Sequence, residues 1–337
     1  MKGIFFGIIF LIISILLIPT FILKICDISV PSRDMPIEKQ IVESDLAISV
    51  YNHNTKKNME LELEEYVIGV VAAEAPAAFE MEALKAQAIA ARTYALWRKS
   101  VYGDEGCPEH IGAIVCTSHL HCQEWLSTEE LRERHGKKWM KQYLPRIEEA
   151  VESTKGIIMT YNMQPIEPLY HSASGGITEN SEDVFARTVP YLRSVSSPYE
   201  EDSPVLVDSY KITIKDFVAK IKAKYKDLKI NTKKIASEID ILEKSVGGNI
   251  KKIKIGNKEL TGGEVRELLG LRSANFSIDV KDKDICFTTR GYGHGVGMSQ
   301  WGANGMAKQG STFSEILEHY YQGISLSILR SHREVNK

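Results

Sequence analysis

The sequence predicts an α+β fold. A main body of mixed helices and antiparallel sheet carries a smaller α/β lobe and follows one N-terminal transmembrane helix. The 337 residues are 43% hydrophobic and 26% charged, which is typical of globular domains. Helical and strand-like hydrophobic patterns alternate along most of the chain. Residues 3–23 contain no charged side chain, and a run of 21 residues is long enough to cross a membrane as a helix.

The uncharged run GIFFGIIFLIISILLIPTFIL is interpreted as an uncleaved membrane anchor. A cleaved signal peptide is the alternative, but the run ends without the small residues of a cleavage site. Lys2 precedes the run and acidic residues follow it, which predicts a cytoplasmic N-terminus and an extracytoplasmic body at the cell membrane. The predicted organisation is an anchor with its cytoplasmic end at 1–25, a tether at 26–58 and a main domain at 59–330, with the smaller lobe at 205–285.

Two helices open the main domain. Leu61–Ala73 has an apolar stripe at helical spacing, and Pro76 ends it because proline disfavours the helical conformation in the residue before it. Met81–Lys99 is rich in alanine and has a high helix propensity. The pattern further predicts a strand near 46–51, a charged helix at 128–154, paired strands at 156–161 and 167–172, and two C-terminal helices.

The smaller lobe is predicted from strands at 249–255, 276–280 and 285–289 with a short helix at 263–269. Residues 211–258 contain 14 lysines. A solvated surface is the preferred interpretation of these lysines, with a polyanion site as the alternative. The whole chain has a net charge of −2, which argues against a nucleic-acid partner.

Glu74 is the predicted catalytic acid. It lies at the C-terminal end of the first helix, between Ala73 and Ala75. The negative end of the helix and the apolar neighbours both disfavour an ionised carboxylate, so they raise its pKa. A general acid has to stay protonated near neutral pH. The alternative is an ordinary surface glutamate at a helix end.

Arg92 lies in the second helix and is a candidate substrate contact. Its planar guanidinium can bind a carboxylate or sugar hydroxyls through two hydrogen bonds. The alternative is a surface cation whose stem packs on Leu96. A position close to Glu74 would lower the pKa of that carboxyl group.

Two glycine-containing segments are candidate binding loops. YHSASGG (170–176) offers Ser172 and Ser174 as polar contacts, and the absence of a G-x-S-x-G motif disfavours a serine hydrolase. In RGYGHGVGMSQWG (290–302), glycines alternate from 291 to 297 and allow close backbone approach to a ligand. Tyr292, His294 and Gln300 in this segment suit a sugar, while a tight structural turn is the alternative.

A cysteine- and histidine-rich segment indicates a structural metal site. Its six candidate ligands are Cys107, His110, Cys116, His119, His121 and Cys122. His110, Cys116 and Cys122 are three zinc-type ligands at regular spacing, and Cys107 or His119 could supply the fourth, with Cys107 preferred. The predicted cofactor is therefore a structural zinc ion that the chemistry does not require. A disulfide between two of the cysteines is the alternative.

Five sequence blocks, in order over about 60–325, together resemble the stage II sporulation protein D family. They are LEEYVIGVVAAEAPAAFEMEALKAQAIAARTYA, YHSASGGITENSEDVF, PYLRSVSSP, LTGGEVRELLGLRSANFSI and RGYGHGVGMSQWGA. The resemblance implies a lytic transglycosylase that cleaves peptidoglycan between N-acetylmuramic acid and N-acetylglucosamine. Its implied substrate is glycan stripped of stem peptides, during engulfment of the forespore.

The resemblance also implies residue roles and partners. The family's catalytic glutamate in the A-A-E-x-P block falls on Glu74, and an arginine needed for activity falls on Arg92. Tyr191, in PYLRSVSSP, joins the expected substrate contacts. The implied protein partners are the amidase stage II sporulation protein P and the membrane protein stage II sporulation protein M. Two alternatives to the enzyme stay open, a non-catalytic glycan-binding enhancer of a cell-wall amidase and a zinc hydrolase.

Overall fold

The computed structural model describes residues 38–39 and 46–329. The predicted anchor at 3–23 and most of the predicted tether lie outside these residues. Within the described part of the chain, no helix is long and apolar enough to cross a membrane.

Helices and short strands alternate through the described residues, as the hydrophobic pattern predicted. The α-helices are α1 (Leu63–Glu74), α2 (Met81–Tyr102), α3 (Thr128–Glu152), α4 (Ser181–Val184), α5 (Ile214–Lys224), α6 (Gly262–Leu269), α7 (Gln300–Lys308) and α8 (Phe313–Tyr320). The strands are β1 (Glu38–Lys39), β2 (Ala47–Asn52), β3 (Lys57–Glu62), β4 (Gly106–Cys107), β5 (His110–Ile111), β6 (Val115–Cys116), β7 (Ile157–Tyr161), β8 (Gln164–Pro165), β9 (Tyr170–His171), β10 (Val207–Thr213), β11 (Ile239–Lys244), β12 (Ile250–Ile255), β13 (Lys258–Leu260), β14 (Phe276–Lys281), β15 (Asp284–Arg290), β16 (Met298–Ser299) and β17 (Ser325–Ile328). Short 3₁₀ helices occur at Gly103–Glu105 and Thr232–Glu238.

The α+β class is confirmed, but the sheets are small and only partly antiparallel. Strand orders are β1-β17-β7-β8, β3-β2-β6, β10-β15-β14, β11-β12-β13, β16-β9 and β4-β5. Parallel pairs join β1 to β17, β2 to β6 and β9 to β16. In the region predicted as an α/β lobe, both three-stranded sheets are antiparallel, so this part is itself α+β.

The main core forms around α1 and α2. Buried side chains of these helices pack with those of α3, α7, α8 and β7, as in Tyr66, Val70, Ile89, Ile158 and Leu317. Helix α1 ends at Glu74 because Ala75, which precedes Pro76, is extended (φ −104°, ψ 142°). Both helices therefore have nearly the predicted bounds, and the acid lies at the end of a buried helix.

A second hydrophobic core belongs to the region of the predicted smaller lobe. Helices α5 and α6 cover its two antiparallel sheets, with Phe217, Ile253, Val265, Phe276 and Phe287 buried between them. The lysines of this region are largely on the outer faces of its strands and helices, and several of them form ion pairs with carboxylates. This placement fits the solvated-surface interpretation.

One predicted strand pairing is wrong. β7 pairs on one side with β17. On its other side it pairs with the short β8, because Asn162 and Met163 adopt positive φ angles (49° and 64°) and close a tight hairpin. β9 instead pairs in parallel with β16, with Tyr170 opposite Met298 and His171 opposite Ser299. This pairing brings the hydroxyl-rich loop and the glycine-rich loop together.

Candidate active site

Glu74 lies where the end of α1 meets the loop that precedes α3. Its Oε1 accepts a hydrogen bond of 2.6 Å from the backbone N–H of Glu124. The side chain of the preceding residue, Gln123, donates to the hydroxyl of Tyr170 (2.9 Å) and accepts from that of Tyr66 (3.4 Å). The loop thus fixes the carboxyl group in a half-buried position beside two tyrosines.

The surroundings of Glu74 favour its protonated form. Burial raises its pKa from 4.5 to about 7, the charge of Glu124 adds to this rise, and the hydrogen bond from the Glu124 N–H opposes it. The carboxylate of Glu124 itself binds Arg134 at 2.7 Å. A raised pKa agrees with the sequence-based expectation, with burial as the largest cause.

Gln300 connects the glycine-rich loop to the predicted acid. Its Nε2 donates to the backbone oxygen of Glu74 (3.1 Å) and to Oε1 of Gln87 in α2 (3.3 Å). Gln300 is the first residue of α7, and the preceding Ser299 caps that helix by accepting from the N–H of Gly302 (3.1 Å). The structure therefore places Gln300 next to Glu74, but its side chain is buried and bonded to the protein, which corrects the predicted contact with a sugar to a positioning role.

The two predicted binding loops pair through their backbones. Ala173 and Tyr292 exchange two hydrogen bonds (3.1 and 2.7 Å), and the carbonyl of Ser172 accepts from the N–H of Trp301 (3.0 Å). Gly297 has φ +74°, and a Cβ there would lie 2.0 Å from the carbonyl oxygen of Leu169. Glycine is therefore required at position 297, where the two loops come into close contact. This requirement is structural, and it is compatible with a tight turn as well as with a binding loop.

Arg92 does not occupy the predicted position at the substrate. Its side chain is fully buried, and it binds Glu64 through two hydrogen bonds, Nε to Oε1 (2.9 Å) and Nη2 to Oε2 (2.6 Å). Nη1 donates to the carbonyl of Ile157 (3.0 Å). With no exposed surface, the guanidinium holds α1, α2 and β7 together, which corrects the expected contact with a glycan.

Ser174 also has a structural role instead of the predicted substrate contact. Its side chain is buried and donates to Oε1 of Glu200 at 2.9 Å. Glu200 also accepts from the N–H groups of Ser174 and Gly175 and from the hydroxyls of Ser197 and Ser299. This buried carboxylate therefore fixes both loops at the point where α7 begins.

The remaining predicted contacts are at least partly exposed. Tyr292 is 42% exposed and stacks against the guanidinium of Arg272, 5.4 Å from the ring centroid. His294 packs against His171 and Phe185, each at 5.6 Å between ring centroids. Ser172 is half-buried, whereas the hydroxyl of Tyr191 accepts from the backbone N–H of Glu167 (2.9 Å).

Cysteine and histidine side chains from β5, β6 and the loop after β6 form a second cluster. Nδ1 of His121 lies 3.4 Å from Sγ of both Cys116 and Cys122, and the His110 ring lies 5.3 Å from that of His121. His110 also groups with Cys116 and His53. All four cysteines in the described residues are free. Cys116, His121 and Cys122 form one group of converging donor atoms, and the hydrogen bond between the two thiols lowers the pKa of Cys122 to about 6 while it raises that of Cys116.

The fourth predicted ligand, Cys107, is placed differently. It is fully buried and groups with Glu109 and His121, not with the other two cysteines. His119 is exposed and belongs to none of the candidate groups. His121 therefore takes the place of Cys107 beside Cys116 and Cys122.

Comparisons with known proteins decide the family. The family model described as stage II sporulation protein matches residues 51–161, which include Glu74 and the cysteine–histidine segment. Stage II sporulation protein D of Bacillus subtilis (strain 168) is 40% identical over 284 residues, covering 84% of this chain and 80% of that protein. The chain belongs to the stage II sporulation protein D family. The Bacillus amyloliquefaciens member is 38% identical over 290 residues, covering 86% of this chain and 81% of its own.

A more distant relative has a different name. The amidase enhancer of Bacillus subtilis is 26% identical over 307 residues, which cover 77% of this chain and 40% of that protein. Membership of the stage II sporulation protein D family, at much higher identity, is consistent with a role in sporulation.

The sequence of this stage II sporulation protein D family member did not reveal the roles of several residues of the site. Glu124 acts through its backbone N–H, which any residue but proline could supply. Glu200 lies in the acidic stretch YEED, which is typical of a surface turn, yet it is buried. Only His121 had a usable signal, because it adjoins Cys122 within the cysteine–histidine segment.

Proposed function

We propose that the protein is a membrane-anchored lytic transglycosylase. It would cleave the bond between N-acetylmuramic acid and N-acetylglucosamine in peptide-stripped glycan strands during forespore engulfment. The observation that carries this proposal is the half-buried Glu74, whose pKa of about 7 suits a general acid, next to two paired loops with exposed polar and aromatic side chains. Membership of the stage II sporulation protein D family supports the sporulation context.

One carboxyl group can perform both proton transfers. Protonated Glu74 donates its proton to the glycosidic oxygen as the bond to the anomeric carbon breaks. The ionised Glu74 then accepts the proton of the muramic acid 6-hydroxyl, whose oxygen attacks the anomeric carbon. The product is a 1,6-anhydro end and no water is consumed. Gln300 and the Glu124 N–H hold the acid in place through its backbone and side chain, respectively.

The neighbouring carboxylate is poorly suited to a hydrolytic mechanism. Hydrolytic glycosidases use a second carboxylate that attacks the sugar or activates water. Among residues 38–39 and 46–329, Glu124 is the one carboxylate whose charge acts on the pKa of Glu74, and it is paired with Arg134. This pairing supports a reaction in which an internal hydroxyl of the substrate replaces water.

The masses of the products test the proposed function. Purified protein is incubated with peptide-free glycan strands, and the fragments are analysed by mass spectrometry. Anhydro-muramic ends are expected. Reducing ends, which are heavier by one water, would instead identify a hydrolase. Strands that remain intact would favour a non-catalytic enhancer of an amidase, the function suggested by the name of the more distant relative.

The reaction should slow as the pH rises above neutrality. Because the reactive form of Glu74 is protonated and its pKa is about 7, kcat/KM for anhydro-end formation should fall about tenfold per pH unit above that value. The measurement is a pH profile from about pH 5 to 9. In Glu124→Gln, the descending limb should move to lower pH, because the negative charge of Glu124 raises the Glu74 pKa and its removal lowers that pKa. A limb near the ordinary glutamate pKa would contradict this assignment.

We also propose that His110, Cys116, His121 and Cys122 bind a structural zinc ion. The ion would cross-link β5, β6 and the following loop, whose next residues, Gln123 and Glu124, contact Tyr170 and Glu74. Zinc here would stabilise the loop and would take no part in proton transfer.

Removal of the metal should therefore destabilise the protein before it affects chemistry. We expect about one zinc ion per chain by elemental analysis and a lower Tm after treatment with a strong chelator. Cys116→Ser should lose the metal and reproduce the lower Tm, whereas Cys286→Ser, outside the cluster, should retain it. Metal-free protein as purified, with an unchanged Tm after chelation, would contradict the site.

The cellular setting is also a proposal. Residues 3–23 would anchor the protein in the cell membrane with its catalytic part outside. Stage II sporulation proteins P and M would be its partners, the first as the amidase that prepares the peptide-free strand. Cell fractionation and co-purification from sporulating cells would test these two points.

A further inference from the structure

A small cavity lies beside the glycine-rich loop, and Glu74 is not among the residues that line it. It has a volume of about 110 Å³. Its lining comes from the turn before β12, α4, the first turns of α6 and the glycine-rich loop, and includes Asp183, Asn249, Lys251, Arg266 and His294. The cavity therefore joins the second core region to the loop that reaches Glu74.

Arg266 is the unbalanced charge in this cavity. Its Nε donates to the carbonyl of Leu271 (3.3 Å), and among the described residues no carboxylate forms an ion pair with its guanidinium. Burial lowers the pKa of Arg266, with a small opposing effect from Tyr292. Nearby Arg272, by contrast, is paired with Asp208 at 3.1 Å. A partly desolvated guanidinium without an acidic partner favours binding of an anion.

The other titratable groups around the cavity do not neutralise the positive charge of Arg266. Lys251 binds Asp183 (2.9 Å) and Glu243 (3.0 Å), so the acidic group that lines the cavity already has a cation. His294 and His171 are neutral near pH 7, because burial lowers their pKa values to about 3 and about 4. Glu179, behind Asn249, accepts hydrogen bonds from Ser245 and the Asn249 N–H, and burial raises its pKa.

The position of the cavity suits a ligand that also reaches Glu74. His294 lines the cavity, and Gln300, which binds the backbone of Glu74, follows six residues later in the same loop. Six residues span at most about 20 Å, which is within the reach of a short glycan. Tyr292 is exposed, stacks against Arg272 and is close enough to Arg266 to act on its pKa, so it offers an aromatic face to a sugar ring near the cavity.

We propose that Arg266 binds the lactyl carboxylate of a peptide-free muramic acid residue in the strand whose bond is cleaved at Glu74. This inference rests on the proposed function. A stem peptide converts that carboxylate to a neutral amide, which removes the guanidinium's partner. A cavity of about 110 Å³ has room for roughly three to four water molecules, which is enough for a lactyl group. The cavity would thus select strands from which the peptide has been removed.

The test compares two forms of one substrate. Peptide-free glycan is used either with free lactyl carboxylates or after carbodiimide coupling to methylamine, which neutralises them without adding a peptide. We expect wild-type kcat/KM for anhydro ends to be about tenfold or more higher on the free acid, the typical effect of a charged hydrogen bond. Arg266→Gln should lower kcat/KM on the free acid and give nearly equal values on the two substrates.

Arg272→Gln is the matched control, because it removes a neighbouring guanidinium that lies outside the cavity lining. It should keep the wild-type preference for the free acid. Equal wild-type cleavage of both substrates, or an unchanged preference in a folded Arg266→Gln variant, would overturn the proposal. If the wild type forms no anhydro ends, the proposed function fails. Equilibrium binding of the same two substrates would still test the cavity, and equal affinities would refute it.

Discussion

Glu74→Gln is expected to lower the rate of anhydro-end formation by about 10²–10⁴-fold, the usual contribution of a general acid. The amide cannot supply the proton for the leaving oxygen or accept one from the 6-hydroxyl. Its oxygen can still accept the hydrogen bond that the Glu124 N–H donates to Glu74. The surrounding loop should therefore keep its position, and the glycan should bind with near wild-type affinity.

Single-turnover assays on peptide-free glycan, with binding measured on the same strands, check this result. Glu124→Gln is the matched control, because its backbone N–H is unchanged and only a carboxylate paired with Arg134 is removed. It should retain most of the activity at pH 6. If Glu74→Gln formed anhydro ends at the wild-type rate, another group would have to be the acid.

Local sequence was sufficient for the position of the acid. Pro76 forces Ala75 out of the helical conformation, so the end of α1 could be predicted from two residues. The apolar stripe of α1 likewise predicted that the helix is buried, and burial is the largest cause of the raised Glu74 pKa. Both properties depend on near neighbours in the chain, which is why they could be predicted.

Long-range contacts decided what could not be predicted. Helical periodicity placed Arg92 on an alanine-rich face but contained no signal for Glu64, which lies 28 residues earlier. The parallel pairing of β9 with β16 joins segments more than a hundred residues apart, and a two-residue strand has no hydrophobic alternation to reveal it. The role of Ser174 was predicted wrongly for the same reason. Its partner Glu200 is 26 residues away in the chain, and nothing in the local sequence shows that Glu200 is buried.

Arg92→Ala is expected to lower the free energy of unfolding by about 3–5 kcal/mol, because it leaves the partner of a buried ion pair without its cation. Glu64 would keep only the weaker hydrogen bond from the Gly156 N–H (3.3 Å). Denaturant titration measures the loss. Lys85→Ala, which breaks a partly exposed i,i+3 pair with Glu82 on the same helix, is the control and should cost at most about 0.5 kcal/mol.

The kinetics of Arg92→Ala separate a structural role from a substrate contact. Because the guanidinium is fully buried, KM for glycan should be unchanged at a temperature where the variant is folded. Wild-type stability with a raised KM would instead return Arg92 to the substrate. A family-wide requirement for this arginine is compatible with the structural role, since the Arg92–Glu64 pair fixes α1, the helix that ends at Glu74. Loss of the pair would move the acid without removing any group that touches the glycan.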